Sequence, residues 1–155
     1  MTQEDKRQQM LAQLAEVFSH NVPFHNIIGF EFENLSVEGC RISFKNKPEL
    51  IGNFMRKILH GGVTATALDV VGGAMAAVGM MSKYPDADEQ ELGARLARIG
   101  TIDLRVDYVR PGKGDSFYAK ARLLRSGSKV AVVRMELHNE DDTLIALGTG
   151  TYMMG

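Results

Sequence analysis

Residues 59–83 read Leu-His-Gly-Gly-Val-Thr-Ala-Thr-Ala-Leu-Asp-Val-Val-Gly-Gly-Ala-Met-Ala-Ala-Val-Gly-Met-Met-Ser-Lys. The run from Val63 to Met81 is long enough to span a membrane, but Asp69 interrupts it, glycine and alanine fill much of it, and no aromatic belt flanks it. It therefore reads as the buried helix of a soluble protein, over about His60 to Met81 and roughly 33 Å long at about 1.5 Å per residue. Ala65, Ala67, Ala74, Ala76 and Ala77 favour the helix. Gly72, Gly73 and Gly79 do not, and a helix that carries them predicts close approach by another backbone. Being apolar nearly all round, it must be covered on most faces.

Working outward, Thr2 to Phe18 predicts a first helix: Met10, Leu11, Leu14, Val17 and Phe18 recur at three- and four-residue spacing, and Thr2 with Asp5 forms a capping pair. Pro23 prevents that helix from continuing, and His20 and His25 in its exit read as structural or surface residues. Ile28 to Lys45 predicts two strands around a turn at Ser36–Gly39, and Lys47 to Lys57, with Pro48, Gly52 and Asn53, predicts a loop. On the other side, Lys83 to Ala94 is polar and acidic and reads as a mobile loop. Four strand-like runs follow, Ala97–Val109, Ser116–Arg125, Lys129–Asn139 and Leu144–Met153, joined by short turn-rich connections that predict an antiparallel meander. In the third run Ala131, Val133, Met135 and Leu137 alternate with Val130, Val132, Arg134, Glu136 and His138, so one face is apolar.

One long apolar helix and one antiparallel sheet must cover each other. The expected α+β architecture is a curved antiparallel sheet wrapped round a central helix, with an extra N-terminal helix, in a single domain over residues 1–155. Open sheet edges argue for pairing with a second copy. Composition bounds the rest. A net charge of −1 gives no electrostatic reason to expect nucleic acid as partner. The single cysteine, Cys40, excludes an internal disulfide and reads as packing. The first residues contain no apolar leader segment, so the expected location is cytoplasmic.

Two features of the central helix carry chemistry. Gly61 and Gly62 at its start leave amide N–H groups uncovered where the helix dipole adds positive charge, which suits an oxyanion or a polarised carbonyl oxygen. Asp69 lies two turns in, where a carboxylate is costly to bury unless it is paired or opens onto a cavity. The chain has no phosphate loop or dinucleotide fingerprint, no cluster with metal-ligand spacing and no Gly-x-Ser-x-Gly elbow. No cofactor and no metal are expected.

Leu59 to Asp69, with its His-Gly-Gly followed by an acidic residue on the same helix, resembles the signature of the hotdog-fold thioesterases, in the branch that includes phenylacetyl-CoA-type and acyl-CoA thioesterases. Thr101 to Pro111, ending Tyr-Val-Arg-Pro, and Gly148 to Met153 resemble two of the family's strands, and the resemblance covers roughly Ile28 to the C-terminus. It implies a hotdog fold and hydrolysis of acyl-CoA, aliphatic or aryl, to free acid and CoA. The Gly61 amide, helped by Gly62 at the helix start, would polarise the thioester carbonyl. Asp69 would activate water or attack directly, and Thr101 would stand near the attacking water. His60 would orient the loop. The family draws the two halves of the site from different subunits, which implies a homodimer, with a dimer of dimers as its extension. Relatives often carry Asn six residues before the histidine. Here Phe54 holds that place and Asn53 precedes it, so Asn53 is the candidate in that role.

The CoA phosphates need cations. Arg95, Arg98, Arg110, Lys113, Arg125 and Lys129 are candidates, the last four above all. Two other readings stand beside hydrolysis: a non-catalytic acyl-CoA-binding module, against which Asp69 argues, and an acyl-thioester dehydratase or hydratase, whose His-Phe-Pro loop is missing. Phe54, Met55, Met75, Met80 and Met81 are candidates for setting the depth of the acyl pocket.

Overall fold

A computed structural model describes residues 1–154. Eight strands and four helices follow one another as α1 (Gln3–His20), α2 (Pro23–Ile28), β1 (Glu31–Leu35), β2 (Cys40–Lys45), β3 (Ile51–Asn53), β4 (Ile58–Leu59), α3 (Gly61–Lys83), α4 (Glu89–Leu96), β5 (Gly100–Tyr108), β6 (Ser116–Ser126), β7 (Val130–Asn139) and β8 (Leu144–Met153). Six strands form one antiparallel sheet in the order β1-β2-β6-β7-β8-β5, and β3 with β4 forms a separate small hairpin.

Helix α3 packs along the inner face of the sheet, against β2, β6, β7 and β8 above all. Leu68, Val71, Met75 and Val78 are wholly buried there, each worth about 1.5–3 kcal/mol of burial. The span-length helix is thus a core helix. It runs from Gly61 to Lys83, with His60 outside as its cap, and at its far end the Lys83 ammonium donates to the carbonyls of Ser126 and Gly127 in the β6–β7 turn. The expected alternation of β7 holds, with Ala131, Val133, Met135 and Leu137 buried. The capping box at Thr2 and Asp5 is made, and α2 starts at Pro23. His20 ends α1, while His25 lies in α2, bonded to the Phe18 carbonyl at 2.7 Å. Cys40 is buried, and burial pushes its thiol up to about 12, which fits an inert packing residue.

Four expectations are corrected. The strand from Gly100 to Tyr108 does not lie beside β6 in a meander; it is the far edge strand, paired with β8. Both sides of β6 are taken, by β2 and β7. β5 also has no buried residue and alternates Asp103, Arg105 and Asp107, the composition of an edge. The connection through Pro111-Gly112-Lys113-Gly114 therefore crosses the end of the sheet. The acidic segment after Lys83 is not simply a mobile loop, because it contains α4. Asp88 caps that helix by accepting from the Glu91 amide at 2.8 Å, Leu92 is buried, and the Arg95 guanidinium lies 3.6 Å over the Tyr84 ring. Residues 47–57 hold a 3-10 turn and the β3 strand rather than a featureless loop. Finally, the glycines of α3 admit side chains, not backbone. A Cβ on Gly72 would overlap the Tyr152 hydroxyl, and one on Gly79 would lie 2.8 Å from Leu123.

Candidate active site

The β3–β4 hairpin sets the start of α3. The His60 amide donates to the Leu50 carbonyl at 2.8 Å and the Leu59 amide to the Gly112 carbonyl at 2.9 Å, so residues 59 and 60 are fixed from both sides. Gly52 permits this closure, since a Cβ there would lie 2.8 Å from the His60 Cα. His60 then caps the helix, its Nδ1 accepting from the Gly62 amide at 2.8 Å. An accepting Nδ1 leaves the ring proton on Nε2. Gly62 is the residue this cap requires, because a Cβ on it would lie 2.9 Å from that nitrogen.

The two glycines therefore differ. The Gly62 N–H is used by His60, whereas the Gly61 N–H has no acceptor among the described residues and opens at the positive end of the helix. One residue that the sequence reading did not single out holds this turn: Tyr108 at the end of β5 donates its hydroxyl to the Gly61 carbonyl at 2.7 Å, and its ring lies 3.4 Å from where a Gly61 Cβ would be.

Asp69 is partly exposed on α3, on the side facing β5 and the end of β8. Thr101 donates from Oγ1 to Asp69 Oδ1 at 2.8 Å. The Tyr152 hydroxyl lies 3.2 Å from both Oδ1 and the backbone carbonyl of Asp69. Oδ2 accepts no hydrogen bond from the described residues. Burial, then the charge and hydrogen bond of Asp69, push the Tyr152 phenol well above its usual range, so it remains a donor.

Thr101 reaches Asp69 because of a bulge. Thr101 pairs with Tyr152 and Asp103 with Thr151, leaving Ile102 as the extra residue. In a regular strand residues 101, 103, 105 and 107 would share a face. The bulge turns Thr101 towards the helix while Asp103, Arg105 and Asp107 stay outside.

Asn53 Oδ1 accepts from the Arg56 amide at 3.2 Å and closes the hairpin turn, and no hydrogen bond joins it to Gly61 among the described residues. That turn presents Phe54 and Met55, 82% and 84% exposed. The four leading cations divide. Arg110 and Lys113 lie in the crossing segment that bonds Leu59, near the start of α3, with Arg110 also donating to the Leu144 carbonyl. Arg125 and Lys129 flank the β6–β7 turn at the other end of α3. A groove of about 380 Å³ on the outer sheet face, lined by Arg41, Lys120, Arg122 and Arg134 among others, includes neither Gly61 nor Asp69.

Comparison with known proteins bears on the family and the fold. Residues 57–146 match the family described as the thioesterase superfamily. The medium/long-chain acyl-CoA thioesterase YigI of Escherichia coli K12 is 47% identical over 148 residues, 96% of each chain. A crystal structure from Shewanella oneidensis, of a protein related to the thioesterase superfamily, superposes with a TM-score of 0.92 at 50% identity, over 96% of this chain and 97% of that one. Another, from Syntrophus aciditrophicus, gives a TM-score of 0.87 at 36% identity over 97% and 99%.

Proposed function

The chain belongs to the thioesterase superfamily, and on that premise we propose that it hydrolyses medium- to long-chain acyl-CoA thioesters to free acid and CoA. The observation that carries this reading is the state of Asp69: one carboxylate oxygen held by two hydroxyls, the other free, on the edge of an apolar helix. A water can donate one hydrogen to Oδ2 and the other to the Thr101 oxygen, which leaves its lone pair for the thioester carbon. Attack moves a proton to Asp69 and charge to the carbonyl oxygen, where a Gly61 N–H stabilises it. Collapse breaks the C–S bond, and the thiolate of CoA takes up the proton. Direct attack by Asp69 Oδ2 is the alternative first step.

Gly61 and Asp69 of one chain are poorly spaced to serve one thioester together. Eight residues separate them along α3, an axial rise of about 12 Å, whereas both must lie within about 3–3.5 Å of atoms bonded to one carbon. This spacing supports a homodimer as the working unit, of one hotdog domain per chain, in which Gly61 comes from one protomer and Asp69 from its partner. Arg110 and Lys113, near Gly61, are the cations best placed for the CoA phosphates. The preference for medium and long chains follows the 47% identical relative named for those substrates, and the place of action is the cytoplasm.

The test is thiol release from phenylacetyl-CoA and short-, medium- and long-chain acyl-CoAs, with wild type and Asp69→Ala side by side. Asp69→Ala should stay folded and lose about a hundredfold or more in kcat. Acyl-CoA binding without thiol release from wild type would replace hydrolysis with a carrier or sensor role.

A further inference from the structure

Tyr152 exchanges no proton in the steps above, yet two glycines make room for its hydroxyl. It is the largest of the fully buried side chains, 1% exposed. Its ring passes over Gly150 of its own strand, where a Cβ would lie 2.6 Å away, and its hydroxyl occupies the space that a Cβ on Gly72 would fill. A buried phenol needs an acceptor, and the backbone carbonyl of Asp69 at 3.2 Å would satisfy it. The hydroxyl is nonetheless equally close to Oδ1, the oxygen on which Thr101 donates at 2.8 Å. Tyr152 and Thr101 are register partners on β8 and β5, so one rung of the sheet brings two hydroxyls to one carboxylate oxygen.

We propose that Tyr152 is a positioning residue for thioester hydrolysis: with Thr101 it pins Oδ1 of Asp69 and so presents Oδ2 as the single oxygen that meets the water. The inference rests on Asp69 being the group that activates water. Rotation about the last bond of an aspartate is soft and nearly two-fold, so without the clamp the two oxygens exchange and the plane of the carboxylate wanders. The substrate does not touch Tyr152, so its loss acts on the chemical step and leaves binding alone.

The test is steady-state kinetics of Tyr152→Phe, which keeps the ring and removes only the oxygen, beside Asp69→Asn in the same thiol-release assay, with thermal unfolding of each. Tyr152→Phe should lower kcat about tenfold, in keeping with one hydrogen bond to a charged group, with KM within about twofold of wild type. An unchanged kcat, or a fall that tracks KM and the unfolding temperature together, overturns the positioning role. If Asp69→Asn retains the wild-type rate, the general-base reading fails and the clamp falls with it. If Asp69→Asn is inactive while Tyr152→Phe is fully active, the clamp alone fails.

Discussion

The two ends of the candidate site are built differently. At the Asp69 end the acceptor is finished inside the chain, with Oδ1 held by Thr101 and by the buried Tyr152. At the Gly61 end the donor is a backbone N–H, and what surrounds it is on the surface: His60 is exposed, Tyr108 is 57% exposed, and Phe54 and Met55 project from the neighbouring hairpin. A carboxylate needs several groups to fix its direction, so it is placed against the core. An amide at the first turn of a helix is aimed by the helix itself and can be left at the rim, for another chain to meet. The difference suits the proposed division of the site between two protomers.

The sharpest way to break this comparison is Gly61→Pro. Position 61 is the first helical residue, where proline is well tolerated, and His60 has φ −60° and ψ 134°, a conformation that the residue before proline favours. The change removes the donor and keeps the helix. It should lower kcat by about 10²–10³-fold, the cost of one oxyanion donor, with little change in unfolding temperature. Mixing Gly61→Pro with Asp69→Ala and allowing subunits to exchange should then restore thiol release, because mixed dimers hold one intact site. No restoration would place both halves in one chain. Next in size is Gly72→Ala at the Asp69 end. The new Cβ competes with the Tyr152 hydroxyl, and urea unfolding should show a loss of about 1–3 kcal/mol from overpacking, together with a lower kcat. The smallest effect expected is that of Tyr108→Phe, which removes one exposed neutral hydrogen bond to the Gly61 carbonyl. It should cost about 1 kcal/mol or less, seen as a few-fold fall in kcat, because the helix still aims the Gly61 amide.

Much of this was legible in the sequence. The core helix announced itself by length and by Asp69, and the strands by alternation. Gly61, His60 and Asp69 came from one continuous segment, whose parts can be read without knowing the fold. Thr101 came through the resemblance. No role for Tyr152 or Tyr108 emerged, although both stand in segments that carry the resemblance, because what each hydroxyl meets depends on which strand lies beside which. The position of β5 was hidden for a related reason: Pro111-Gly112-Lys113-Gly114 has the composition of a hairpin turn whether the chain folds back or crosses over. The alternating charges of Asp103, Arg105 and Asp107 were the available sign of an edge. Helix α4 left a signal too, Asp88 followed by Glu91, but it is 8 residues long with one buried side chain, Leu92, too short for periodicity to stand out.

The bulge at Ile102 has a consequence for how such a site can arise or vanish. The hydroxyl of Thr101 meets the carboxylate because one unpaired residue, Ile102, stands between it and Asp103, so that two residues that would share a face in a regular strand point opposite ways. Regular pairing at unchanged length would leave nearly every strand and core contact in place and set Ile102 opposite Tyr152, turning isoleucine in place of Thr101 towards the helix. Among sheet proteins of this kind, the inventory at a site can therefore change through register alone, with no chemical substitution at any position that touches it.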